Sequence, residues 1–426
     1  MSSESPTAES PTAESPTAES PTAESPTAGF PAESPAAAEA AEPDASEGGP
    51  PEEEPRRHDP LWARLLIVFG ALLMLVSGGL FVGYKLLVAR ASSSVTQSDL
   101  LGDAGNQAAH HVNINGPVNI LLIGIDTRPG QNPSDLSRAD SIIIAHVPAS
   151  HQEAYLVSIP RDTLVSIPAN PQTGWAGGNE KINAAFAFGS QNGGGIAGGV
   201  HLLGETIKAP YGIGFDAAAV VDFAGFQQVV SVLGGVDMCV DEKTTSIHIG
   251  FTADGKEAVP FRQDADLNLH AVPGVTPNVY EPGCRHLAPW EALDYTRQRD
   301  LLANGDADYG RQRHQQQFIR AVFKQILSAG VLSNPAKLSR VLDTVGKAMT
   351  VDTGGIGIGD WIYAMRDIGG SDLLSIKTNN GQFNTTFVPG IGACEKLTDT
   401  SLQLLQSVRD DSVATFVSAH PDWLAS

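Results

Sequence analysis

The run Leu65–Tyr84, Leu-Leu-Ile-Val-Phe-Gly-Ala-Leu-Leu-Met-Leu-Val-Ser-Gly-Gly-Leu-Phe-Val-Gly-Tyr, holds 20 residues and no charge. At a rise of ~1.5 Å per helical residue it reaches ~30 Å, the thickness of the hydrocarbon layer of a bilayer. The expectation is a transmembrane helix over residues 64–88. Ala89-Arg90-Ala91 resembles a signal-peptide cleavage site. A signal peptide, however, carries an apolar core of only ~7–15 residues behind a short leader, and here a long segment comes first. Arg56, Arg57 and Arg64 precede the run and Lys85 and Arg90 follow it, a slight bias toward a cytoplasmic N-terminus.

The segments on the two sides of this run differ in kind. Residues 1–63 open with five tandem copies of Glu-Ser-Pro-Thr-Ala, Glu4 to Ala28, and continue as Pro/Ala/Glu to Pro55. A proline in every repeat forbids continuous helix, and Phe30 is the lone aromatic before Trp62, so there is too little apolar surface to offset chain entropy. We expect a disordered acidic tail. It explains most of the overall balance: the first 60 residues carry 14 acidic and two basic side chains, or −12 of a formal net charge of −21. That balance argues against a nucleic-acid partner, which would call for a basic face. Residues 89–117 read as a polar linker.

From Val118 onward the pattern is that of a folded α/β domain, 118–426. Val118–Ile125, Asp140–Val147 and Glu153–Ile159 are short apolar runs rich in β-branched residues and read as buried strands. Helical patterns follow at Ile182–Phe188, Val200–Ala209, Phe223–Leu233, Pro289–Tyr295, Arg313–Ala329, Lys337–Ala348, Gly359–Ile368 and Thr400–Val408, with a strand at Leu373–Lys377. Asp241–His286 lacks a long periodic segment and reads as a loop excursion with short hairpins. Cys239 and Cys284 flank it and, outside the membrane, could close it as a disulfide; Cys394 would then be a buried small residue.

Four segments pair acids with arginines. They are Asp126-Thr127-Arg128 after the first strand, Arg138-Ala139-Asp140 before the second, Arg161-Asp162 after the third, and Arg297-Gln298-Arg299 followed by Asp306 to Gln317. Ligand sites in open α/β sheets lie where loops leave strand ends, which places Asp126, Arg128 and Arg161 together. Asp140 joins them only if its strand runs antiparallel to the first. All seven basic residues before His314 in these segments are arginines. The forked guanidinium matches phosphate oxygens two at a time, and two nearby aspartates supply the hard oxygen ligands that Mg²⁺ prefers. Together they suggest a magnesium pyrophosphate site. By contrast, Gly355-Ile356-Gly357-Ile358-Gly359 has neither the spacing nor the lysine of a phosphate loop, and no His-x-x-x-His pair supports zinc.

The ordered elements Gly124–Arg128, Arg138–Asp140, Ser158–Thr163, Lys181–Ala185 with Gly193–Gly195, Asp222–Phe226, Gly234–Val236, Ala292–Arg299 and Asp308–Gln316 resemble those of the LytR-CpsA-Psr family of cell-wall glycopolymer transferases. The resemblance spans roughly Val118 to Phe323. It implies one extracytoplasmic α-β-α domain, a central mixed sheet flanked by helices, held at the cell membrane by a single span with the N-terminus cytoplasmic. It implies transfer of a glycan-phosphate from a polyprenyl-pyrophosphate carrier to peptidoglycan, with Mg²⁺ as cofactor. By position, Asp126 and Asp140 resemble the metal ligands. Arg138, Arg161, Arg297, Arg299, Arg311 and Gln315 resemble the pyrophosphate clamp, which Arg128 would join. Asp308 is the candidate for orienting or deprotonating the acceptor hydroxyl, with Arg161 beside it and Asp306 and Asp162 as rivals.

This chain departs from the family in two places. His314 stands where an arginine is frequent, with Arg313 one place earlier, and the loop Asp300–Ala307 is longer than is common. Apolar stretches at Ala217–Val221 and Phe223–Leu233 could line a groove for the prenyl chain or simply form core. Two other functions fit the same residues: a polyprenyl-pyrophosphate hydrolase with water as acceptor, and a non-enzymatic anchored wall-binding or regulatory protein.

Overall fold

The β-branched runs pair into one sheet. The computed structural model describes residues 99–105, 114–127, 137–266, 268–328, 334–357, 360–361, 364–365, 367–369 and 372–425. In it Val118–Ile125 (β1), Ala139–Val147 (β2), Ala154–Ser158 (β3), Ala217–Val221 (β4), Met349–Asp352 (β5) and Leu373–Ile376 (β6) form a six-stranded sheet in the order β5-β4-β1-β2-β3-β6. β1 is antiparallel to β2 and parallel to β4, and β3 is antiparallel to β2 and parallel to β6, so the sheet is mixed. The tail, the apolar run Leu65–Tyr84 and Arg128 lie outside the described residues. Among the described residues no helix is long and apolar enough to cross a membrane.

The sheet is covered on both faces because alternate side chains of its strands point to opposite sides. Leu121, Ile123, Ile142 and Ile144 face one layer, where they pack with Ile182 and Phe186 of Ile182–Ser190 (α1), Leu203 and Ile207 of Gly195–Tyr211 (α2), and a later C-terminal helix carrying Leu404 and Leu405. Val118, Ile143, Ala145 and Leu156 face the other, with Trp361, Ile319 and Phe323. A third cluster, around Val230, Met238, Tyr280 and Tyr295, joins Phe223–Val232 (α3) and Pro289–Arg297 (α4) to the excursion. Ala307–Ser328 (α5), Pro335–Ala348 (α6) and Asp399–Arg409 (α7) complete the helices that matter below. Helix α5 starts six residues before the periodic segment read from sequence. Its first turns, Ala307 to Gln312, are polar and carry no apolar stripe.

Three details refine the sequence reading. Leu100, Leu101 and Ala104, within the stretch read as linker, are buried in the core, and the Asp352 carboxylate accepts the backbone N–H groups of Leu100 and Leu101 at 2.8 and 3.1 Å. The excursion does consist of hairpins: Val236–Val240 pairs with Gly283–Leu287, Thr244–Thr252 with Val275–Tyr280, and Phe261–Gln263 with Leu269–Ala271. Cys239 lies opposite Cys284 in the first of these pairs and is disulfide-bonded to it, while Cys394 is a buried free thiol. The glycines from Gly355 follow a true strand, β5, which the sequence reading did not recognise, but the lysine of a phosphate loop is still absent.

Candidate functional site

The antiparallel pairing of β1 with β2 meets the condition for Asp140. The register jumps from Gly124 opposite Ser141 to Ile125 opposite Ala139, so Asp140 is the extra residue of a β-bulge. A bulge re-aims a side chain at a sheet edge, and this one turns Asp140 into the same cavity as Asp126, which leaves the end of β1. Arg161 lies on the turn that follows β3. Its guanidinium donates to Asp140 Oδ1 at 2.7 Å, and its Nε is 3.7 Å from carboxylate oxygens of both Asp162 and Asp308. Burial would lower the Arg161 pKa, but Asp140, Asp308 and Asp162 outweigh it and raise the pKa further above its ordinary value. The Lys181-Ile-Asn element holds this turn: Lys181 pairs with Asp162 at 3.0 Å, and the backbone N–H groups of Ile182 and Asn183 donate to the carbonyls of Thr163 and Arg161.

Helix α5 supplies the opposite wall. Arg311 donates to the Asp140 carbonyl at 2.9 Å and meets Asp308 Oδ1 at 2.6 Å. Gln315, one turn on, shares its face. Asp126, Asp140, Arg161, Arg297, Arg299, Arg311 and Gln315 thus border one cavity of about 240 Å³. Two buried donors there, Arg161 Nε and Arg311 Nε, have no hydrogen-bond acceptor among the described residues. Arg138 is exposed and does not border the cavity. Asp308 does not border it either: its carboxylate lies behind Arg161 and Arg311, facing a second cavity. Gln316, between the two faces of the helix, donates to the Leu156 and Ile376 carbonyls and to Ser158 Oγ, which locks α5 onto β3 and β6.

Neither residue at the family departure meets the cavity. Arg313 turns the other way and is paired with Asp241, Glu242 and Asp306. His314 is fully buried and stacked on Tyr295 at 4.2 Å, with Nε2 3.3 Å from Asp241 Oδ1 but off hydrogen-bond alignment. Asp306 pairs with Arg313 and borders neither cavity.

Sequence reasoning missed the cavity's other wall. Ile247, His248 and Gln263 come from the excursion hairpins and carry no motif that could have marked them. Phe223 lies within the recognised Asp222–Phe226 element and opens the stretch read as a possible prenyl groove, and Asp300 adjoins the Ala292–Arg299 element. Burial pushes the Asp300 carboxyl up, against the charges of His248, Arg161 and Arg311.

Asp140, Phe223, Arg297 and Gln315 also border a neighbouring apolar chamber of about 330 Å³. It is lined by Ala219 and Val221 of β4, Phe223, Phe226 and Val229 of α3, and Phe318, Ile319, Val322, Phe323 and Ile326 of α5. The stretch 217–233 thus contributes to a groove as well as to core. Asp222 caps α3 by accepting the Gly225 N–H at 2.7 Å, and Gly225 lets the helix approach α6, since a Cβ there would sit 1.9 Å from the Ala348 carbonyl oxygen. That is the physical content of Asp-Phe-x-Gly-Phe. Arg297 lies over the Phe223 ring at 4.1 Å, at the junction of the polar cavity and the chamber.

The sequence matches the model of the LytR_cpsA_psr family over residues 85–390. It is 28% identical over 301 residues to the Oceanobacillus iheyensis protein named polyisoprenyl-teichoic acid–peptidoglycan teichoic acid transferase TagU, covering 70% of this chain and 78% of that one. It is 27% identical over 361 residues to the Bacillus subtilis protein of the same description, TagV, covering 83% and 81%. Among solved structures, a Streptococcus agalactiae protein superposes with a TM-score of 0.53 at 22% identity, covering 72% of this chain and 91% of that chain, and so shares its fold.

Proposed function

Because the chain belongs to the LytR-CpsA-Psr family, we propose that it transfers a glycan-phosphate from a polyprenyl-pyrophosphate carrier to peptidoglycan. The observation that carries this reading is the adjacency of two unlike spaces: an arginine-lined polar cavity lies beside an apolar chamber, and four residues border both. Such a pair suits a ligand with an anionic head and a hydrocarbon tail. The relatives named as polyisoprenyl-linked teichoic acid transferases support the same donor and acceptor classes. In this reading Leu65–Tyr84 holds the domain outside the cell membrane, near a lipid-borne donor.

Asp126 and Asp140 present two carboxylates from neighbouring strands to one cavity, a hard-oxygen donor set that fits Mg²⁺. When bound, the ion would supply charge neutralisation to the pyrophosphate oxygens. Arg161, Arg297, Arg299, Arg311 and Gln315 hold those oxygens, and the apolar chamber takes the first isoprene units. The acceptor hydroxyl oxygen attacks the glycan-bearing phosphorus, forming a new P–O bond. The bond from that phosphorus to the bridging oxygen breaks, and polyprenyl phosphate departs with the electron pair. The hydroxyl proton passes to a carboxylate, which we assign to Asp308. Arg161 and Arg311 link that carboxylate to the cavity, so the same two guanidinia orient both partners.

The test uses a polyprenyl-pyrophosphate-linked saccharide, with and without peptidoglycan. Asp126→Ala should lower transfer about a hundredfold or more and abolish its Mg²⁺ dependence. Retention of both would refute the site. Release of polyprenyl phosphate indifferent to peptidoglycan would instead favour the hydrolase.

A further inference from the structure

Asp308 faces a second cavity, of about 180 Å³, on the far side of Arg161 and Arg311 from the pyrophosphate cavity. Its walls come from Pro160 and Asp162 after β3, Asp308 and Tyr309 at the start of α5, Phe383, and the hairpin Thr385–Val388 with Gly392–Glu395. The two cavities differ in charge. The first is bordered by four arginines and three aspartates, whereas the second is bordered by Asp162, Asp308 and Glu395 and by no basic side chain, with Lys181 paired to Asp162 and Arg161 and Arg311 to Asp308 outside its lining. Such a lining favours a polyol, whose hydroxyls donate to carboxylates, over a phosphate.

The hairpin extends this cavity outward. Thr385 lies opposite Glu395 and Phe387 opposite Ala393, and residues two apart on a strand share a face. Thr385, Ala393 and Glu395 border the cavity, so Phe387 stands on the same face beyond them. Phe387 is 76% exposed and Phe383 50%, the two most exposed aromatic rings among the described residues. Phe383 is fixed edge-on to Tyr309 at 5.1 Å. Glu395 is fixed too: it accepts the Asn384 N–H at 2.8 Å and the Thr385 hydroxyl, and its own N–H donates to the Asp162 carbonyl at 2.9 Å. A ring fixed on Tyr309 and a second exposed ring beyond it, beside a pocket of carboxylates, make a surface that a sugar chain, apolar on its ring faces and polar at its edges, can occupy.

We propose that this second cavity seats the acceptor saccharide, with Phe383 and Phe387 as its stacking faces and Asp308 at the inner end against the reacting hydroxyl. The proposal rests on the transferase reading for the identity of the acceptor, while the saccharide site itself stands on this geometry. It places the body of the acceptor on the far side of the Arg161–Asp308–Arg311 cluster from the donor, with the reacting hydroxyl reaching past that cluster into the pyrophosphate cavity, where the P–O bond forms and the proton passes to Asp308.

A tetramer of β-1,4-linked N-acetylglucosamine, titrated into the full chain, should bind saturably. Phe387→Ala and Phe383→Ala should each weaken it about tenfold with unchanged melting temperature, and Phe251→Ala, an exposed ring elsewhere, should not. Absence of saturable binding, or equal binding by Phe387→Ala, would overturn the proposal. Displacement of the tetramer by a short polyprenyl pyrophosphate would also overturn it, since both would then share one cavity. Binding that follows the pattern above in a chain that transfers nothing from donor to peptidoglycan would uphold the site and refute the transferase reading.

Discussion

Replacing Arg313 by Met should destabilise the protein by about 3 kcal/mol at pH 7 and leave its chemistry in place. Arg313 is 12% exposed and pairs with three carboxylates, of which Glu242 is 2% exposed, Asp241 28% and Asp306 21%. Breaking a buried ion pair on one side costs ~3–5 kcal/mol, because the remaining charge is left without compensation. Methionine keeps much of the apolar stem, and Asp241 and Asp306 retain an edge to water, which puts the expected loss at the low end. The pH dependence has a definite sign. Burial alone would raise the Asp241 and Glu242 pKa values. His314 and Arg313, with the Asn304 N–H at Glu242, outweigh burial and hold both carboxyls below their usual range. A depressed carboxylate stabilises the fold above its unfolded value, ~4, and loses that stabilisation as pH falls through the folded one. The gap between wild type and Arg313→Met should therefore be widest at neutral pH and narrow below pH ~4. Urea titrations of the solubilised chain from pH 7 to pH 3 measure it. A loss under about 1 kcal/mol at pH 7, or a gap that widens in acid, would refute the electrostatic account. A hundredfold loss of turnover at unchanged stability would refute the placement of Arg313 away from phosphate.

Two further perturbations test the chamber and the excursion. Ala219→Phe should fill part of the apolar chamber and raise KM for polyprenyl donors, by the equivalent of ~0.8 kcal/mol per displaced methylene, while the affinity for a saccharide pyrophosphate without an isoprenoid tail is unaffected; equal effects on both would count against the chamber as the tail site. Reducing the Cys239–Cys284 bond, which closes 45 residues, should cost about 2–4 kcal/mol and loosen the hairpins bearing His248 and Gln263, so Km for donor should rise in the reduced protein; an unchanged melting temperature after confirmed reduction would show that strand pairing alone holds the excursion.

The parts of this site visible in sequence are those fixed by local pattern. Asp126 and Arg161 follow apolar strands directly, so their place at strand ends could be read from the chain alone. Asp140 depended on strand direction, and its final aim depends on a one-residue bulge that no local pattern encodes. His248 and Gln263 were invisible for a stronger reason: they reach the cavity through the folding of hairpins whose residues have no periodicity of their own. Asp308 shows the limit of spacing arguments. Three residues before Arg311 on a helix, it does pair with that arginine, but its outlook into a different cavity follows from how α5 docks on β3 and β6 through Gln316.

Helix α5 also joins the two cavities on which the proposed donor site rests. Arg311, Gln315, Phe318 or Ile319, Val322 and Ile326 recur at the i, i+4, i+7 or i+8, i+11 and i+15 positions of one face, so a single helix runs from the pyrophosphate cavity into the apolar chamber. Arg313, on the opposite side, ties the same helix to the excursion that closes the cavity. More than half of the net charge lies in the first 60 residues. The cavity itself is lined by four arginines against three aspartates. The guanidinia of that lining come from one strand end, Arg161, from the end of α4 and the residues after it, Arg297 and Arg299, and from one face of α5, Arg311, a local arrangement that the overall charge of the chain does not reveal.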